Sequence, residues 1–251
     1  MIPAVRALAY AAGTAIMEVY RTDFDSKRKD DGSPVTLADT AAEAMILPGL
    51  RALTPDIPVV SEEEHSAGNS PEAVANRFWL VDPLDGTREF LKRNDEFTVN
   101  IGLVEDNIPI FGVLYAPALN LMYAGTLHGG ATLIEGDKAE RAISCRMPPE
   151  DGLDVLVSRS HSINERLEKY LGHETVRNRM PQGSALKFGR LAEGVADIYP
   201  RFGPTCEWDT GAGHAIVLAA GGSLTQMDGS TFNYGKKPKF LNPGFVAFGR
   251  R

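Results

Sequence analysis

Trp79-Leu80-Val81-Asp82-Pro83-Leu84-Asp85-Gly86-Thr87 is the stretch on which the reading of this chain turns. The apolar run from Phe78 to Val81 ends in two acids three residues apart, then a Gly-Thr pair. A buried strand halted by Pro, Asp and Gly predicts a strand end that opens into a tight turn. Asp82 and Asp85 then converge at one sheet edge, with Gly86 and Thr87 beside them. Two hard carboxylates suit Mg²⁺, which takes oxygen ligands and keeps waters and a substrate phosphate in its shell. The backbone N–H groups after the turn suit a phosphate oxygen. The segment therefore predicts a Mg²⁺-dependent phosphate-ester enzyme. Solvated acids in an Asx-type turn would give the same local pattern, so the rest of the chain has to decide.

Composition sets the frame. The chain has 251 residues, 43% of them hydrophobic and 24% charged, which is ordinary for a globular protein. That length allows one large domain or two halves, each with its own core. A net charge of −7 argues against a general surface for nucleic-acid polymers. An acidic chain that handles anions must do so through a local cationic pocket or a bound metal. Cys145 and Cys206 are too few for a disulfide framework and fit a reducing compartment. From Pro3 to Val19 the apolar positions Val5, Leu8, Ala12, Ile16 and Val19 follow helical spacing, interrupted by Arg6. This predicts an amphipathic first helix and not a signal peptide. The expected location is cytoplasmic, with membrane contact at most peripheral.

Working outward, Asp23 to Pro34 is polar and reads as a loop. Thr36-Leu37-Ala38-Asp39 has capping-box spacing and predicts the start of a second helix, bent or ended near Pro48. Ile57 to Val60 reads as a short strand running into Ser61-Glu62-Glu63-Glu64, and His65 to Asn76 as a surface loop. Phe97–Val104, Ile110–Tyr115, Leu121–Gly125 and Ala131–Ile134 predict an antiparallel meander, punctuated by Asn107, Pro117, Asn120 and Gly129-Gly130. Beyond Met147-Pro148-Pro149 the pattern alternates. Val155–Val157, Val195–Tyr199 and segments near Leu224 and Phe245 read as strands. Asn164–Leu171, Ala185–Glu193 and Asp209–Ala220 read as helices. The expected fold class is α/β, with an α+β N-terminal domain over 1–150 and an α/β C-terminal domain over 151–251.

Three further acids weigh on function. Glu62 and Glu63 follow a short strand, where adjacent carboxylates repel unless a cation compensates. Asp209 follows Trp208 at the start of an apolar helix, where it could equally be an N-cap. Asp39 could equally be the cap partner of Thr36. Glu-Glu, then Asp-Pro-Leu-Asp-Gly-Thr, then Trp-Asp, in this order and at these distances, resembles the inositol monophosphatase superfamily of Mg²⁺-dependent, lithium-sensitive phosphatases. The resemblance is closest to its 3′(2′),5′-bisphosphate nucleotidase branch. It runs through Ser33–Thr36, Trp79–Asn94, Glu96–Ile101, Tyr115–Pro117, Ser158–His161, Gly183–Phe188, Tyr199–Thr205, Trp208–Thr210 and Leu241–Phe245, nearly the whole chain.

The resemblance implies the layered αβαβα sugar-phosphatase fold and two or three Mg²⁺ per site. It makes Glu62, Asp82 and the carbonyl of Leu84 ligands of one ion, and Asp82, Asp85 and Asp209 ligands of a second. Glu62 and Thr87 orient the attacking water, and Gly86 and Thr87 donate backbone hydrogen bonds to the phosphate. Asp39, with Glu63, supports the site from outside. Arg159, His161, Lys187, Arg190 and Arg201 fall in segments that resemble the substrate wall. Lys187, Ser184 and His161 are candidates for a second phosphate or the ribose, and Tyr199 and Arg201 for the adenine or a phosphate. Lys187 and Arg190 could instead lie on a solvated helix face. Trp79 and Trp208 read as packing residues, and His65, His128, His173 and His214 lack ligand-like pairing.

The implied reaction converts adenosine 3′,5′-bisphosphate to AMP and phosphate, a step of sulfate assimilation, with activity on the 2′,5′ isomer and the sulfated nucleotide. The implied partner is thus a small nucleotide bisphosphate, and the implied state a monomer or homodimer. An inositol or sugar monophosphatase is the enzymatic rival, and a silent nucleotide- or metal-sensing protein the rival of another class. One departure from the branch is Gly211, where Ala is common after Trp-Asp-Thr; it is expected to loosen the helix carrying Asp209.

Overall fold

The computed structural model describes residues 1–22, 34–71, 76–159 and 165–251. The first half contributes helix α1 (Ile2–Tyr20), α2 (Pro34–Leu53), strand β1 (Val59–Ser61), α3 (Glu62–Ser66), β2 (Arg77–Asp85) and α4 (Thr87–Leu91). It continues with β3 (Thr98–Glu105), β4 (Ile108–Ala116), β5 (Leu121–Thr126), β6 (Gly130–Glu135) and β7 (Arg141–Ile143). Then follow β8 (Leu153–Ser158), α5 (Glu165–Leu171), β9 (Val176–Gln182), α6 (Leu186–Ala192) and β10 (Ile198–Arg201). The chain ends with α7 (Glu207–Ala219), β11 (Ser223–Gln226) and β12 (Phe245–Phe248).

Two sheets result. Strands β1 to β7 lie side by side in chain order, and all but the parallel β1–β2 pair are antiparallel. The second sheet has the order β11-β12-β10-β8-β9. Alternation assigns the faces of the first sheet. Trp79, Val81, Val99, Ile101 and Leu103 pack with Val5, Ala9, Ile16, Ala42 and Ile46 of α1 and α2. Phe78, Leu80, Val104 and Leu114 face the other way, toward Trp208 and Ile216 of α7 and Leu186 and Phe188 of α6. The second sheet closes this middle layer through Leu156, Tyr199, Phe245 and Ala247, and its outer face holds Leu167 and Leu171 of α5. The layers run α, β, α, β, α. Helix α1 has the length and apolar composition of a membrane span, yet its stripe of Val5, Ala9, Ala12 and Ile16 is buried in this fold.

Several local expectations change. Helix α2 begins by Pro34, with proline in the first turn, where a missing N–H is harmless. Thr36 and Asp39 therefore lie inside the helix and form no capping box, and the helix runs through Pro48 to Leu53. Strand β2 does not stop at Asp82 but continues to Asp85. Strand β7 and the edge strand β9 went unread, and Glu62 to Ser66 is a short helix. Of the loop expected from Asp23 to Pro34, Pro34 is already helical and the rest lies outside the described residues, as does the start of the helix expected from Asn164. Gly211 does not sit in open space: a Cβ there would stand 2.9 Å from Leu80 Cδ1, so it lets α7 lie close on β2.

Candidate active site

The bulge in β2 is the first cause of the site. Asp82 is opposite Asn100 on β3, and Asp85 is opposite Thr98, so β2 advances three residues while β3 advances two. Pro83, within the bulge, has no N–H to give a ladder. The extra residue returns Asp85 to the face that carries Asp82. Without it, alternation would send Asp85 to the α1–α2 side. Asp82 is buried, and its Oδ1 accepts the N–H of Leu84 at 3.0 Å. Asp85 Oδ2 accepts the N–H of Ala185 at 2.5 Å, which ties the strand to the segment before α6.

Gly86 turns the chain out of β2 with φ +98. A Cβ there would meet Ser184 Cβ at 3.1 Å and Phe97 Cα at 3.3 Å, so both backbone angle and space require glycine. Thr87 then opens α4, whose first N–H groups have no partner within the helix. Glu62 opens α3 directly after β1. Asp209 is the third residue of α7, not its N-cap: Cys206 caps the helix, and its N–H donates to Asp209 Oδ2 at 2.8 Å. One oxygen from each of Glu62, Asp82 and Asp209 falls within 4.8 Å of the others.

Electrostatics mark this convergence. Burial, then the charges of Asp85 and Glu63, push Glu62 up to about 7. Burial, then Asp85, pushes Asp209 up to about 8. Asp82 is raised well above the usual carboxylate range by burial and by Glu62, Asp85 and Asp209. Asp85 is raised by burial, against the pull of Lys187. An all-oxygen set of mutually repelling, buried carboxylates is what a hard divalent cation relieves. These residues fit such an ion.

An outer acid group stands behind them. Asp39 is buried on α2, and burial followed by the charges of Glu63, Glu62 and Glu43 pushes it up to about 8. Burial, then Glu43, also raises Glu63. Glu43 was not read from the sequence. It accepts the hydroxyl of Ser61, and the N–H of Glu64 at 3.4 Å, so it fixes the turn from which Glu62 projects. Its helical neighbours gave no sign of this, because a lone glutamate in an Ala-rich helix reads as solvated.

The same cleft is lined by Glu62, Asp82, Leu84, Asp85, Gly86 and Thr87. Ser184, Lys187, Tyr199, Arg201 and Asp209 line it as well. Ser184 has φ +44, and its Oγ accepts from Thr98 Oγ1 and from the N–H of Leu186, both at 3.3 Å. Lys187 is not on a solvated face. It is buried, donates to the carbonyls of Ser184 (2.5 Å) and Gln182 (3.1 Å), and sits 5.1 Å from the centre of the Tyr199 ring. Burial pulls it down to about 8, opposed by Asp85. Arg201 is held by the carbonyls of Gly203 and Pro204, each at 3.3 Å, and its charge opposes the upward shift of Asp85 and Asp209.

Other cations are placed differently. Arg159 forms a double hydrogen bond with Glu96, at 2.6 and 2.7 Å, and Arg190 pairs with Glu193 at 2.7 Å; neither lines the cleft. His161 lies outside the described residues. Arg88, exposed on α4 beside Thr87, lines the cleft and was not anticipated. Trp79 is buried and donates Nε1–H to Thr54 Oγ1 at 2.9 Å. His214 is buried against Tyr234, with Nδ1 3.1 Å from its hydroxyl.

The inositol monophosphatase family profile matches residues 1–246. This chain belongs to the inositol monophosphatase family. Members of the family are metal-dependent, and Glu62, Asp82 and Asp209 converge closely enough that they could hold a metal ion. The chain is 49% identical to the 3′(2′),5′-bisphosphate nucleotidase CysQ of Salmonella typhimurium, over 98% of both chains. It is 47% identical to CysQ of Escherichia coli, also over 98% of both. Among solved structures, CysQ of Bacteroides thetaiotaomicron superposes with a TM-score of 0.84 at 35% identity, covering 99% of this chain and 96% of that one. An inositol monophosphatase of Zymomonas mobilis shares the fold, with a TM-score of 0.81 at 24% identity, covering 100% and 92%. The layered α/β fold read from the resemblance is the fold observed.

Proposed function

We propose that this protein is a Mg²⁺-dependent 3′(2′),5′-bisphosphate nucleotidase. It removes the 3′-phosphate of adenosine 3′,5′-bisphosphate to leave AMP and inorganic phosphate. The observation that carries the proposal is one cleft lined both by converged carboxylates and by the protein cations Arg88, Lys187 and Arg201. A monophosphate needs only the metal side; a substrate with two phosphates uses both. The names of the relatives at 47–49% identity support the same substrate class.

Glu62, Asp82, Asp85, Asp209 and the Leu84 carbonyl would hold two or three Mg²⁺. Bound Mg²⁺ lowers the pKa of the attacking water and neutralises the ester. Glu62 and the Thr87 hydroxyl orient that water. The N–H groups of Gly86 and Thr87 bind oxygens of the departing phosphate. Arg201 and Arg88 meet the second phosphate, while Lys187 fixes the Ser184 turn and offsets the charge of Asp85. Tyr199 and Ser184 flank the nucleoside. Attack by water is direct, without a phosphoenzyme. The 2′,5′ isomer and 3′-phosphoadenylyl sulfate are expected as further substrates, and the cytoplasm as the location. The Asp85→Asn enzyme is expected to lose turnover of adenosine 3′,5′-bisphosphate; full turnover would turn the reading toward a binding protein.

A further inference from the structure

Asn100 is fully buried, and neither its Nδ2 nor its Oδ1 has a hydrogen-bond partner. An unpaired buried amide is destabilising by about 1–3 kcal/mol, and an apolar side chain of the same shape avoids that penalty. Its position on β3 suggests a purpose. Asn100 is the cross-strand partner of Asp82 on one side and of Leu114 on the other. Val99 and Ile101 point to the α1–α2 layer, so Asn100 points with Asp82 toward α7. Directly opposite side chains on one face have Cβ atoms about 4.5–5.5 Å apart.

The neighbours close the space around it. Gly102, the next residue on this face, lies so near α7 that a Cβ would stand 2.7 Å from Ala212 N. Thr98, the preceding one, donates to Ser184 Oγ at the edge of the cleft. Asn100 is therefore boxed beneath the first turns of the helix that carries Asp209, with a two-hydrogen donor one side chain away from Asp82. Asp82 itself takes the backbone N–H of Leu84 at Oδ1.

We propose that Asn100 is a positioning residue for Asp82: its amide donates to the Asp82 carboxylate through one buried water and fixes the orientation in which that carboxylate grips the cation. This rests on the divalent-cation reading above. The amide supplies a hydrogen bond without adding charge to an already crowded acid cluster. Such outer partners of metal-ligating groups are typically worth tenfold or more in metal affinity.

Mn²⁺ titration of the full-length protein, followed by electron paramagnetic resonance, tests it alongside melting in chelator. Asn100→Leu is expected to melt no lower than wild type without metal, yet to bind Mn²⁺ about tenfold more weakly. Asn100→Ser, which keeps a donor, should recover part of that loss. Unchanged Mn²⁺ affinity in Asn100→Leu, with wild type binding normally, would overturn the proposal. Should Asn100→Leu not fold, Asn100→Ser must bind Mn²⁺ more tightly than Asn100→Ala; equal affinities overturn it as well. Wild type that binds no Mn²⁺ would overturn the metal reading itself, and this one with it.

Discussion

Asp82 and Asp209 present carboxylate oxygens within 4.8 Å of each other, although one stands at a bulge of a seven-stranded sheet and the other in the first turn of α7. Nothing in the fold separates them: α7 lies on β2 and β3 through Gly211 and Gly102, whose missing side chains permit the approach. The site is thus made by packing a helix onto a sheet, and the repulsion it stores is relieved by protonation or by a bound cation.

That repulsion predicts how stability depends on pH. Glu62, Asp39 and Asp209 are raised to about 7, 8 and 8 by burial and neighbouring carboxylates, against about 4 in an unfolded chain. Between these values the folded protein holds more protons than the unfolded one, so stability falls as pH rises through that window. In chelator, the melting temperature should drop from pH 5 to pH 8. Mg²⁺ should restore it, and by more at pH 8 than at pH 5. Calorimetry showing a larger Mg²⁺ effect at pH 5 would contradict the assignment.

Two glycines separate backbone angle from space. Gly86 and Gly68 both have positive φ, but a Cβ at Gly68 meets nothing within 4 Å. Gly68→Ala should cost about 1–2 kcal/mol from backbone strain alone and leave kcat intact. Gly86→Ala adds close contacts with Ser184 and Phe97, for a further loss of about 1–3 kcal/mol, and should lower kcat sharply. Equal effects in melting and turnover assays would deny Gly86 its place in the site.

Much of the site was legible because its chemistry is contiguous: the stretch from Asp82 to Thr87 supplies two acids, the turn and the N–H groups. The strand's continuation through Pro83 was not legible, since a bulge is a matter of pairing register and not of propensity. Strand β9, Val-Arg-Asn-Arg-Met-Pro-Gln, is polar because it is an exposed edge, so no apolar alternation announced it. The false capping box at Thr36 and Asp39 shows the converse. Asp39 looks like a cap residue, but it is a buried member of the outer acid group. Arg159 looks like a wall cation in sequence, but Glu96, distant in sequence, neutralises it.

Glu43 gives a prediction that sequence alone would not. Ser61→Ala removes the hydroxyl that Glu43 accepts and frees the turn before Glu62. The expected cost is about 1 kcal/mol in stability. Mg²⁺ affinity should fall several-fold, read from the activation curve of the assay. Unchanged Mg²⁺ dependence would remove Glu43 from the positioning of Glu62.

The cationic wall predicts selectivity. Arg201 is held by carbonyls and has no carboxylate hydrogen-bonded to it among the described residues. Arg201→Ala should raise KM for adenosine 3′,5′-bisphosphate about tenfold, equivalent to about 1.4 kcal/mol, while changing KM for a monophosphate ester much less. Equal changes for both substrates, in steady-state kinetics, would place Arg201 elsewhere in the reaction.

The most direct test of the account is phosphate release in Mg²⁺ from adenosine 3′,5′-bisphosphate and inositol 1-phosphate, measured side by side, with chelator as the blank. The account predicts a large preference for the nucleotide, loss of all activity in chelator, and a much smaller preference in Arg201→Ala. A preference for inositol 1-phosphate would contradict the substrate assignment while keeping the metal site, and release from neither would contradict the enzyme reading.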